Sequence, residues 1–91
     1  MAIETGKRLI LHTETLDLAS IAAGADLDTA VTVIGAKPGN VAMVSVPALE
    51  AGLVATASIT AADEVTLRVS NITGLAVDAA SQDFIFAVTQ G

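Results

Sequence analysis

Apolar and polar residues alternate at period two along most of the chain, which is the pattern of strands with one buried face. In Glu64-Val65-Thr66-Leu67-Arg68-Val69-Ser70, the apolar Val65, Leu67 and Val69 fall on one side and the polar residues on the other. Residues 53–60 repeat it, with Leu53, Ala55, Ala57 and Ile59 facing inward and Val54, Thr56, Ser58 and Thr60 outward. Ala61-Ala62-Asp63 is a turn-length link, so the two segments are predicted to form a hairpin. Residues 28–34 and 41–46 read as two more strands. Between them Pro38-Gly39-Asn40 marks a turn, because proline fixes φ and glycine accepts positive φ.

Residues 83–89 form a last strand with Phe84, Phe86 and Val88 on one face, and residues 15–19 a first one, followed by a loop over 21–25. Two segments break the alternation. Residues 47–52 open on Pro47 and close on Gly52, which suits a single helical turn crossing between sheets. Residues 72–81 read as a loop. Six main strands at short spacings predict an all-β fold, a small antiparallel β-sandwich, jelly-roll-like, of about six to eight strands. Residues 15–91 make the sandwich domain. Residues 1–14, which hold two of the four basic residues and the only histidine, are either an N-terminal arm or an edge strand.

Composition sharpens this picture. Of the apolar 53%, 18 residues are alanine, so the core rests on ten valines, nine leucines, seven isoleucines, two methionines and two phenylalanines. A chain of 91 residues with so thin a core is marginal on its own, and without cysteine no disulfide can staple it. Oligomerisation is the expected remedy. The formal charge of −6 argues against a nucleic-acid partner and against an anionic membrane. The longest apolar run, residues 84–88, is far short of a membrane span, and Leu9-Ile10-Leu11 is too short for a signal-peptide core, so synthesis in the cytoplasm is expected.

The sequence advertises little chemistry. His12 sits in the N-terminal segment, a poor place to hold a general base, so no catalytic residue is assigned and the chain is expected not to be an enzyme. Asp26 and Asp28 share one side of an extended segment and are the best candidates for a hard cation, yet no EF-hand spacing surrounds them, and neither a metal nor a cofactor is assigned. Gly35 to Asn40 lacks the spacing of a phosphate-binding loop. Asn71-Ile72-Thr73 matches a glycosylation acceptor by chance. The outward strand faces, rich in Thr and Ser and poor in charge, suit assembly.

Pro47-Ala48-Leu49-Glu50-Ala51-Gly52-Leu53, the stretch from Ala61-Ala62-Asp63-Glu64 through Arg68-Val69-Ser70-Asn71, and Asp78-Ala79-Ala80-Ser81 before Phe84 together resemble a pattern in small tailed-bacteriophage virion proteins. That group includes capsid decoration (cement) proteins and domains of head or tail fibres. The resemblance covers residues 15–89. It implies a β-sandwich without an active site, a homotrimer that binds the major capsid protein and stabilises the assembled head from the capsid surface, after synthesis in the bacterial host. The alternative it leaves is a head-fibre or tail-fibre module.

Residues 1–14 lie outside the shared pattern. In a decoration protein such a segment could reach a neighbouring capsid subunit, which makes Ile3, Lys7, Arg8, Leu9 and Leu11 the candidate capsid-binding residues. For the trimer contact the candidates are Val54, Thr56 and Ser58, with Leu75 and Val77 of the following loop, because alternation leaves these apolar or small residues outside the core.

Overall fold

The computed structural model describes residues 8–90. Its six strands are β1 (Arg8–Leu16), β2 (Asp26–Thr32), β3 (Ala42–Ser45), β4 (Leu53–Ala61), β5 (Glu64–Asn71) and β6 (Gln82–Gln90). They form two antiparallel three-stranded sheets, ordered β1-β6-β3 and β2-β5-β4, which pack as a β-sandwich around one core. We refer to them by their central strands, as the β6 sheet and the β5 sheet.

The alternation predicted for the central strands is what builds the core. Val65, Leu67 and Val69 of β5 and Phe84, Phe86 and Val88 of β6 are completely buried. Around them lie Val31 from β2, Leu53 from β4, and Leu18, Ile21, Val33, Ala36 and Ala79 from the connections. Full burial of each large side chain contributes roughly 1.5–3 kcal/mol.

Only β4 and β5 pair as sequence neighbours; the other four connections each carry the chain from one sheet to the other. The hairpin tip needs a residue with positive φ, and Asp63 supplies it at 61°. Aspartate is one of the few residues besides glycine that visits this region readily. The same residue anchors the tip. Its N–H donates to Ala36 O at 2.8 Å and its carbonyl accepts from Val33 N–H at 3.0 Å, while its Oδ1 accepts from Gly35 N–H at 2.8 Å. At the next turn, Asn40 N–H donates to Lys37 O with Gly39 at φ 94°, as the Pro-Gly pair predicts.

Two local expectations are corrected. The first strand lies not at 15–19 but at Arg8–Leu16, paired along its whole length with β6 from Arg8↔Gln90 to Leu16↔Gln82, so over the described residues the N-terminal segment takes the edge-strand form of the two expected for it. Its inward positions are Ile10, His12, Glu14 and Leu16, opposite Val88, Phe86, Phe84 and Gln82, so its alternation is broken: both faces mix apolar and polar residues, with Leu9 and Leu11 pointing out beside Thr13 and Thr15. A reading keyed to inward apolar residues slides past such a strand. Residues 47–52 form no helical turn. Two successive tight turns replace it, with Leu49 N–H donating to Val46 O and Leu53 N–H to Glu50 O, both at 3.2 Å. Gly52 closes the second at φ 86°, where a side chain would also collide with the Thr73 methyl group.

Truncating the core should therefore be expensive and truncating the outer face should not. Phe86→Ala is expected to lower the unfolding free energy by about 3–5 kcal/mol in urea titrations, and Thr56→Ala to shift it by less than about 0.5 kcal/mol.

Candidate interaction faces

Each sheet of a two-layer sandwich turns its second face to the outside, and here the two outer faces differ in chemistry. On the β5 sheet the outer face is polar. Arg68 of β5 donates through Nε and a terminal guanidinium nitrogen to the two carboxylate oxygens of Asp28 on β2, at 2.8 and 2.9 Å. These hydrogen bonds hold the Asp28 carboxyl below the usual carboxylate range and raise Arg68, with Asp26 adding attraction for the guanidinium. The Asp28 carboxylate considered for a cation is thus already engaged by a cationic side chain. Further along, the Thr60 and Thr66 hydroxyls lie 2.9 Å apart and hydrogen-bond each other.

The residues singled out for a trimer contact lie partly on this polar face. Val54, Thr56 and Ser58 stand opposite Ser70, Arg68 and Thr66. Leu75 is exposed in the loop after β5, whereas Val77 is half-buried, its backbone paired with Ile21 in an isolated bridge. Of the candidate capsid-binding residues, Arg8, Leu9 and Leu11 belong to β1, while Ile3 and Lys7 lie outside the described residues.

The outer face of the β6 sheet is apolar. Registers on both sides of β6 arrange it in three cross-strand rows: Leu9, Thr89 and Val41; Leu11, Ala87 and Met43; and Thr13, Ile85 and Ser45. Leu9, Leu11, Val41 and Met43 are 60%, 68%, 57% and 56% exposed, half of the large apolar residues that the described chain leaves in solvent. No charged residue enters these rows; in the row below, Asp83 accepts from the Thr15 hydroxyl at 2.6 Å. Thr89 turns its hydroxyl toward the β3 edge, accepting from Val41 N–H at 3.0 Å.

A scan of protein-family models and searches of curated proteins and of solved structures each return no match.

The inner side of β1 holds the remaining titratable pair. His12 Nε2 lies 2.8 Å from Glu14 Oε1, both partly exposed, with the imidazole 6.4 Å from the Phe86 ring. Among the described residues, no three or more His, Asp or Glu come together to hold a metal, and no cavity opens.

Sequence reasoning missed Val41, Met43, Ile85 and Ala87 as surface residues, although a signal was present. Residues 9–11, 41–44 and 84–88 are unbroken apolar runs, whereas the β5-sheet strands alternate. An unbroken run is the mark of a strand with apolar side chains on both faces. It also missed what Asn71-Ile72-Thr73 does. Asn71 is almost wholly buried; its Nδ2 donates to Ile21 O at 2.9 Å and to Leu75 O at 2.8 Å, and its Oδ1 accepts from Thr73 N–H and from the Thr73 hydroxyl. The spacing that resembles a glycosylation acceptor is a latch joining the loop after β5 to the β1–β2 connection.

A second latch is acidic. Glu50 accepts from Ala80 N–H at 2.9 Å and from the Gln82 amide at 3.0 Å, and these bonds hold its carboxyl below the ordinary value. The folded state therefore favours the ionised form. Its contribution is complete above the ordinary glutamate value of 4.5 and is lost as pH falls through the lower folded value.

Two outcomes follow. Asn71→Ala, which strands buried carbonyls and N–H groups, is expected to cost about 2–3 kcal/mol in urea unfolding. In the same assay, the stability gap between wild type and Glu50→Gln is expected to be constant above about pH 5 and to close as acid protonates the folded carboxyl.

Proposed function

We propose that this chain is a non-enzymatic structural subunit of a virion, a decoration protein that binds the assembled head of a tailed phage as a homotrimer and stabilises it. The observation that carries the reading is the uncovered apolar outer face of the β6 sheet. A contiguous patch of leucine, valine and methionine, rimmed by polar residues, is the mark of a surface that works by being covered with protein. The sequence resemblance to phage virion modules supplies the kind of assembly.

The mechanism needs no chemistry beyond binding. A subunit that binds the closed shell and not the disrupted one stabilises the closed form by mass action. Threefold symmetry matches positions a capsid lattice already has, and three modest contacts on one trimer reinforce each other through effective concentration. The acidic charge helps keep free copies soluble and away from packaged nucleic acid. The first seven residues, with Ile3 and Lys7, are assigned to the shell contact. A test by truncation has to stop before Arg8, because removing residues 1–12 would also delete half of β1.

Mixing the purified chain with assembled shells of a tailed-phage major capsid protein, followed by sedimentation of the shells, tests the reading. Many copies distributed over each shell are expected, with shells that disrupt at a higher temperature than bare ones and with lower occupancy for a chain lacking residues 1–7. A few copies confined to one vertex would assign the chain to a fibre, and shells free of it would overturn a virion role on the head.

A further inference from the structure

We propose that the outer face of the β6 sheet is the contact between copies of this chain, with three copies closing their Leu9, Leu11, Val41 and Met43 faces around a common axis. The choice of face rests on the structure; the count of three rests on the decoration reading above.

Charge selects the face. Each copy carries −6, so two copies approach with least repulsion where neither presents a charge. The three rows from Leu9 to Ser45 meet that condition. The opposite face does not, because Arg68 on its central strand and Asp28 and Asp26 on the neighbouring β2 would have to lose water on docking. This moves the contact away from Val54, Thr56 and Ser58.

Shape favours a self-contact as well. Ala87 lies between Leu11 and Met43, a small residue flanked by two long ones. A copy of the same surface offers ridges of matching size, and no second sequence is needed to make the surfaces fit.

Area makes this face the apolar centre of the contact and not the whole of it. Strands about 4.8 Å apart and rows about 6.8 Å apart give the face a footprint of roughly 300 Å². A standard pairwise interface covers about 800 Å² per partner, so one flat contact over this face falls well short. The flanks of the face therefore contribute too, and in the threefold arrangement taken from the decoration reading each copy meets two neighbours.

The experiment is light scattering coupled to size exclusion on the full chain, without shells. Wild type is expected at three times its 9.1 kDa, about 27 kDa, and Leu11→Lys with Met43→Lys at 9.1 kDa with an unchanged β-sheet circular dichroism spectrum. Thr56→Lys should leave the wild-type mass intact. Leu11→Thr with Met43→Thr, which keeps strand-forming residues at both positions, should weaken the oligomer at least tenfold in dissociation constant and serves if the lysine pair fails to fold. A wild-type chain that is monomeric at high concentration overturns the proposal, as does dissociation by Thr56→Lys in place of the β6-sheet pair. A mass near 18 kDa that collapses with the lysine pair keeps the face and overturns the threefold arrangement. If the lysine pair keeps its mass but no longer joins shells, the face belongs to the shell, and this proposal fails while the decoration reading stands. If the lysine pair dissociates and wild type ignores shells, the reverse holds.

Discussion

Six side chains, three from β5 and three from β6, press against one another between the sheets, and every other element is placed by its relation to them. β1 and β3 can exist as strands only because β6 offers them a backbone edge on each side. β2 and β4 stand in the same relation to β5. Removing water from Val65, Leu67, Val69, Phe84, Phe86 and Val88 is the largest favourable term a chain so rich in alanine can assemble. The ends of the sandwich are held by directional bonds instead: Asp63 fixes the hairpin tip to the β2–β3 connection, and Asn71 and Glu50 fix the loops that lead out of β5 and into β6 and β4.

The fold was legible where burial and periodicity agree. In β4 from Leu53 to Ile59, β5 from Val65 to Val69 and β6 from Phe84 to Val88 every inward position is apolar or small, and strand, phase and hairpin could be read directly. The first strand was legible only as one of two alternatives, because at an edge the inner face tolerates His12 and Glu14 between Ile10 and Leu16, which breaks the alternation. The turns of residues 47–52 defeated the reading for another reason. Proline at the start and glycine at the end punctuate a tight turn as well as a helix, and only the partner of each carbonyl decides between them.

The candidate faces were legible only in part. Leu9 and Leu11 were singled out as candidate capsid-binding residues, but their companions Val41, Met43, Ile85 and Ala87 come from strands far away in sequence. Nothing local says that the outward sides of β1, β6 and β3 will be neighbours. Topology does that, by seating β6 between the other two. The Asn71 latch is hidden in the same way, since its most distant partner, the carbonyl of Ile21, is fifty residues upstream. Conversely, Asp28, one of the two aspartates that suggested a cation, is engaged by a guanidinium forty residues further on.

The strand order also sets a timetable. β4 and β5 can meet as soon as both have been synthesised, and β2 has only to fold back onto a hairpin that already exists. The β6 sheet has no such early option: β1 and β3 share no hydrogen bonds, and each waits for the last strand of the six. During synthesis on the ribosome, Leu9, Leu11 and Met43 therefore remain on unpaired segments until β6 emerges, when both edges can zip onto it. One half of this sandwich matures locally and early, and the other closes late and all at once.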